Sequence, residues 1–146
     1  MAKHFDIIVV GCGPTGAIAS LLLAQKGLQV AIIEQHQNVY PHPRAIALNG
    51  FSMGLIKELL QDLWCEFEFT TAIEVGYVLS KDKMDEPFGK MQPPIIEGKI
   101  LDLDHYGFLN WFNQPQLERL LRKKIESIKN IQTYFNYSTL IMWESD

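Results

Sequence analysis

The chain has 146 residues, of which 47% are apolar and 21% charged, with a net charge of −4. A chain of this length suits one domain with a sizeable core, and its mildly acidic balance gives no electrostatic basis for nucleic-acid binding. Cys12 and Cys65 are the two cysteines, too few for a disulfide framework or a metal site. No apolar run approaches the roughly 20 residues of a membrane helix, and the N-terminus enters a strand pattern directly after Lys3 rather than a signal-peptide pattern. The expectation is a cytoplasmic protein with no membrane partner.

The stretch Phe5 to Glu34 organises the rest of the chain. Ile7 to Val10 is a continuous apolar run rich in β-branched residues, read as a strand buried on both faces in a parallel sheet. Gly11, Gly13 and Gly16 then stand at G-x-G-x-x-G spacing. A helix is expected from about Pro14 to Lys26, stopped by Gly27, followed by a second strand from Leu28 to Ile33 that Glu34 closes. This is a complete βαβ unit of the nucleotide-binding type.

Each residue type in it has a chemical reason. Gly11 permits the tight strand-to-helix turn, and Gly13 lets a pyrophosphate approach the backbone. Gly16 keeps the helix close to the strands. The helix N-terminus offers unpaired N–H groups and a positive dipole end to phosphate, and Pro14 gives up an N–H that the first turn does not use. Glu34 lies 23 residues after Gly11, where a carboxylate can accept ribose hydroxyls. A glycine spacing alone is weak, but here the strand, the helix and the acid all accompany it. An acid at this position disfavours a 2′-phosphate, so FAD or NAD is expected rather than NADP. Cys12 is read as a small structural residue of the loop.

Residues 35 to 54 contain two prolines and two glycines, and are expected to form an extended connection. Arg44 stands there among apolar neighbours. It could be a solvated arginine or a clamp on phosphate, for which arginine is the preferred bidentate partner, and the residues alone leave both open. His36 and His42 carry no metal-ligand spacing and are read as loop histidines. Leu55 to Trp64 shows the period of an amphipathic helix with Ser52 as its candidate cap.

Residues 66 to 109 change character. FEFTTAIEVGYVLS is β-branched and aromatic and reads as one or two strands; KDKMDEPFGKMQPPIIEGK reads as an exposed loop; Ile100, Leu101 and Leu103 read as a short strand. Together they suggest an antiparallel segment inserted at residues 66–109, with the nucleotide-binding core at 1–65 and 110–146. Pro115 suits the first turn of a helix with an apolar stripe of Leu117, Leu120, Leu121, Ile125 and Ile128. Arg119, Arg122, Lys123 and Lys124 are read as its solvated outer face. Ile131–Phe135 and Ser138–Trp143 are read as two further strands.

Four ordered motifs, GCGPTG, IIEQH, HPRAIAL and FNQPQLERLLR, resemble the flavin-dependent aromatic hydroxylases, the p-hydroxybenzoate hydroxylase-like FAD monooxygenases, and among them the 3-(3-hydroxyphenyl)propionate hydroxylase type. The likeness spans most of the chain. It implies an α/β fold: a Rossmann-like FAD-binding βαβ core with an inserted antiparallel β segment belonging to a substrate domain. It implies FAD held by Gly11, Gly13, Pro14, Thr15, Gly16, Glu34 and Gln35, with Arg44 and Gln114 also reaching the cofactor, which favours the clamp reading of Arg44. The family reaction uses NAD(P)H and O₂ to hydroxylate a small aromatic, phenolic substrate. The flavin carries that chemistry, so no catalytic acid, base, nucleophile or metal ligand is assigned.

The later Asp-Gly and Gly-Asp motifs of that family are absent from these 146 residues, so the fold is expected to be incomplete relative to the family. The expectation for the chain alone is therefore weak flavin retention, no hydroxylation, and self-association through an exposed strand edge at Ile7–Val10. Two other readings share Gly11 to Glu34: an NAD-dependent Rossmann oxidoreductase, which leaves Arg44 and the Asn113-Gln114-Pro115 start unexplained, and a stand-alone nucleotide-binding module without catalysis.

Overall fold

The computed structural model describes residues 3–72, 75–91, 95–96, 99–100 and 106–139. In chain order the elements are β1 (Ile7–Val10), α1 (Pro14–Gln25), β2 (Val30–Glu34), β3 (Ala47–Leu48), α2 (Gly50–Leu60), β4 (Phe69–Ala72), β5 (Val75–Tyr77), β6 (Gly89–Met91), β7 (Ile95–Ile96), β8 (Lys99–Ile100), β9 (Leu109–Phe112), α3 (Gln114–Glu126) and β10 (Ile131–Phe135), with 3₁₀ turns at Gln61–Glu66 and Lys81–Lys83. The chain divides into two compact units. One comprises Met1–Arg44, Leu59–Phe67 and Gln114–Asp146, the other Ala45–Glu58 and Glu68–Asn113.

The first unit is built on a parallel sheet of order β1-β2-β10. Val30, Ala31 and Ile32 of its central strand are buried, as a strand paired on both sides requires. α1 packs on β1, β2, β10 and α3. It ends in a Schellman motif: Gly27 takes φ +85°, its N–H donates to the Ala24 carbonyl at 2.9 Å, and the Leu28 N–H reaches the Leu23 carbonyl. Leu117, Leu120, Leu121 and Ile125 of α3 are buried, which is the stripe expected from their spacing.

β1 departs from the expectation of a strand buried on both faces. Its side chains alternate, with Ile8 58% and Val10 53% exposed. Among the described residues β1 pairs only with β2, and the face carrying Ile8 and Val10 meets no packed helix. α2 also begins earlier than its apolar spacing suggests. Asn49, not Ser52, is the cap: its Oδ1 accepts the Ser52 N–H at 2.8 Å, and Ser52 lies inside the first turn. Past Leu60 the helix tightens into the 3₁₀ turn, whose first residue, Gln61, has φ +53°.

The second unit is antiparallel. β3, β9 and β4 form one sheet, β5 and β6 a second and β7 and β8 a third. The buried Asn110 joins strands of the first sheet, accepting from the Thr71 hydroxyl at 2.8 Å. The stretch read as an exposed loop contains β6 and β7 and opens β8. Val75 pairs with Met91, Tyr77 with Gly89 and Ile96 with Lys99, so short paired strands organise it. Leu101 and Leu103 lie outside the described residues, as do positions 140–143 of the strand expected at Ser138–Trp143; Ser138 and Thr139 themselves are in a loop.

Candidate nucleotide site

The site forms where β1 hands over to α1. Gly11 has φ +99°, a conformation that favours glycine, and its N–H is anchored on the Ile33 carbonyl at 2.7 Å. A Cβ on Gly16 would stand 2.1 Å from the Gly11 carbonyl oxygen, so the close crossing of helix and loop depends on that hydrogen. Gly13 differs in kind. It is extended at φ −75°, precedes Pro14 at the helix start, and a Cβ there would meet nothing within 4 Å. Its small size leaves an open approach to the helix N-terminus, where Thr15 is exposed.

Glu34 is buried at the end of β2. One carboxylate oxygen accepts the Cys12 N–H at 2.7 Å and the other the His36 N–H at 2.8 Å. Each oxygen retains a further lone pair for a hydroxyl donor. Burial alone would push this carboxyl up. The two backbone donors, then the charges of Arg122 and His36, outweigh it and hold the group below the ordinary value of 4.5. Burial pushes the neighbouring Cys12 thiol above its ordinary 9.0, and Arg122 opposes that shift. A buried, protonated thiol fits the reading of Cys12 as structural.

A cavity of about 240 Å³ opens beside this carboxylate, lined by Val10, Gly11, Ile33, Glu34 and Gln35 and by Tyr137, Ser138 and Thr139 of the segment after β10. That segment is turned by Asn136, at φ +64°, and fixed by the Tyr137 N–H donating to the Glu34 carbonyl at 3.2 Å. Gly11, Glu34 and Gln35 are thus brought together. The pair Arg44 and Gln114 is brought together separately. Gln114 is buried, its Oε1 accepts the Arg44 backbone N–H at 2.9 Å, and its Nε2 donates to Glu118 at 2.6 Å. The Arg44 guanidinium stands 5.6 Å from the centre of the Tyr40 ring.

Three features escape the sequence patterns. Tyr137 to Thr139 wall the cavity, where a strand is expected to begin at Ser138. Glu118 carries no signal of its own in the apolar stripe, yet it is buried against Gln114. Arg122 leaves the solvated face expected of it together with Arg119, Lys123 and Lys124: it is half-buried, with its guanidinium 4.8 Å from the centre of the Phe135 ring. One signal is present, since Gln114, Glu118 and Arg122 recur every four residues and so share one line along the helix beside the apolar stripe. Lys123 does face outward, to Glu66 at 2.7 Å, but Lys124 does not: its side chain is 14% exposed, and its Nζ donates to Gln61 at 2.9 Å.

A parallel βαβ unit with a glycine loop, an open helix N-terminus and a buried strand-end carboxylate defines a dinucleotide-binding fold of the Rossmann type. Residues 4–142 match the FAD binding domain family, and the chain belongs to it. The cofactor of that family is FAD, and the residues fit its ADP half: an uncovered loop for the pyrophosphate and a carboxylate with lone pairs for the ribose. The chain is 35% identical over 143 residues to a probable NADH-specific resorcinol 4-hydroxylase of Rhodococcus jostii, covering 89% of this chain and 23% of that protein. It is 41% identical over 63 residues to the 2,4-dichlorophenol 6-monooxygenase of Cupriavidus pinatubonensis, covering 43% of this chain and 10% of that one. The fold matches the crystal structure of p-nitrophenol 4-monooxygenase from Pseudomonas putida with a TM-score of 0.71 at 20% identity, over 93% of this chain and 33% of that one. The chain therefore spans a third or less of the length of these proteins. Among the described residues no helix is long and apolar enough to cross a membrane, and no cluster of His, Cys, Asp and Glu could hold a metal ion.

Proposed function

We propose that this chain supplies the ADP-binding part of a flavin-dependent monooxygenase, and that the full-length protein carrying it hydroxylates a phenolic substrate with NAD(P)H and O₂. The observation that carries the reading is the buried Glu34 carboxylate, tied by the Cys12 N–H to the glycine loop and opening on the cavity beside Gly11. In this reading the cavity takes the adenosine end of FAD, the Gly13 face and α1 N-terminus take the pyrophosphate, and Gln35 borders the ribose. Arg44 clamps the phosphates, with its backbone held by Gln114. The unit containing β3 to β9 belongs to the substrate domain. The names of the relatives support a phenolic substrate, and that of the resorcinol 4-hydroxylase supports NADH as donor.

Bound FAD would supply the redox chemistry, while this chain binds the cofactor and orients it. The test is titration of the purified chain with FAD, followed by flavin fluorescence. Saturable binding lost in Glu34→Ala supports the assignment, and binding indifferent to Glu34 contradicts it. For the full-length protein, phenol-stimulated NAD(P)H oxidation with a hydroxylated product supports the reaction, and its absence across mono- and dihydroxybenzenes contradicts it.

A further inference from the structure

The contacts of Arg122 fall on the segments that hold Glu34. Its guanidinium lies over Phe135, the residue paired with Glu34 across the sheet. Its Nη1 donates to the Gln37 carbonyl at 2.9 Å, on the turn that leaves Glu34. It also faces the thiol of Cys12, whose backbone N–H is bound by the Glu34 carboxylate. Its Nε is buried without a hydrogen-bond partner among the described residues. A side chain serving only to pack here would do better as methionine, which has a similar stem and no N–H to desolvate. What methionine lacks is a donor for the Gln37 carbonyl and a positive charge on this side of the site.

We propose that Arg122 is a positioning residue of the nucleotide site: held between the Phe135 ring and the Gln37 backbone, it fixes the Glu34 carboxylate in the orientation whose remaining lone pairs receive ribose hydroxyls. The proposal rests on the reading of Glu34 as the ribose acceptor. The titratable and charged groups around Glu34 and Cys12 are His36 on the following turn, and Glu118 and Arg122 on α3. Arg122 is the cation that α3 contributes, and its charge lowers the Glu34 carboxyl.

The test compares Arg122→Met and Arg122→Lys in the whole chain, each with and without Glu34→Gln. The first measurement needs no nucleotide: a ¹³C NMR titration of the Glu34 side-chain carboxyl. Its midpoint is expected to rise in Arg122→Met and to return most of the way in Arg122→Lys. The second is calorimetric titration with ADP. Arg122→Met should weaken ADP binding on the order of tenfold, and by less than about twofold in the Glu34→Gln background, because the two side chains act as one unit. Thermal melting of Arg122→Met should show a deficit at neutral pH that closes as pH falls through the Glu34 midpoint, because the lost charge acts through Glu34. If the methionine variant does not fold, Arg122→Gln, which keeps donors without the charge, replaces it. An unchanged Glu34 midpoint overturns the proposal, as does an equal loss of ADP affinity in both backgrounds. A raised midpoint in a chain that takes no ADP supports the positioning and removes the nucleotide reading instead.

Discussion

Gln114 accepts the backbone N–H of Arg44 at 2.9 Å while donating its own amide to Glu118 at 2.6 Å. The two residues stand 70 positions apart, and their junction ties the loop after β2 to the first turn of α3. One buried amide therefore satisfies a backbone donor and a buried carboxylate together. Gln114→Leu removes both partners and should cost about 2–4 kcal/mol of stability, measured by urea denaturation, because it leaves polar groups buried and unpaired.

Arg44 itself is held by its backbone, which leaves its guanidinium available. Charge-assisted hydrogen bonds contribute about 1.5–3 kcal/mol, so Arg44→Ala should weaken FAD binding roughly ten- to a hundredfold in fluorescence titration. Arg44→Lys should recover part of that loss, since a point charge cannot make the bidentate fork. Wild-type affinity in the alanine variant would return Arg44 to the surface.

The glycine loop separates folding from binding. Gly16→Ala drives a methyl group to 2.1 Å from the Gly11 carbonyl oxygen and should destabilise the chain by at least about 2 kcal/mol. Gly13→Ala meets nothing within 4 Å and has an ordinary φ of −75°, so its melting temperature should stay near the parent's. Its methyl group would occupy the approach of the pyrophosphate, and FAD binding should fall. Equal melting losses in the two variants would contradict this division.

Glu34 gives the stability a predictable acid limb. Its folded carboxyl lies below the ordinary value of 4.5, so unfolding takes up a proton as pH falls. The contribution is complete above 4.5 and is lost as pH drops through the depressed folded value. Glu34→Gln keeps the size but sets an N–H₂ against one of two backbone donors. It should lose about 1.5–3 kcal/mol at neutral pH, with the difference shrinking in acid denaturation series. A difference that is constant with pH would contradict the assignment.

Ile8 and Val10 present an apolar face on a strand paired on one side among the described residues. Such an edge invites pairing with another chain. Size-exclusion chromatography should show concentration-dependent association that Ile8→Lys reduces. A monomer at all concentrations would show that the face is tolerated in water.

The βαβ unit is legible because periodicity, glycine spacing and a strand-end acid are local signals that agree. Pro14 to Gln25 and Ile131 to Phe135 fall where their patterns place them, apart from a terminal residue. The second unit is less legible. Its strands β6 to β8 are two or three residues long, and β6 is defined by a partner, Val75 for Met91, that lies well back along the chain. For the site, Glu34 and the glycines can be read from spacing, whereas only its place four and eight residues after Glu118 and Gln114 sets Arg122 apart from its basic neighbours. What separates it from Arg119 is the Phe135 ring, a contact made only once the end of β10 is folded in place. Burial of one face of β1 likewise depends on what covers the sheet, which apolar composition does not encode.

Titrating the purified chain with FAD and with NADP under the same conditions decides whether Gly11 to Glu34 holds the ADP half of FAD. Glu34 should accept a free 2′-hydroxyl and repel a 2′-phosphate, so FAD should bind at least about tenfold more tightly, the scale of one lost charged hydrogen bond. NADP binding as tight as FAD, or tighter, would contradict that assignment.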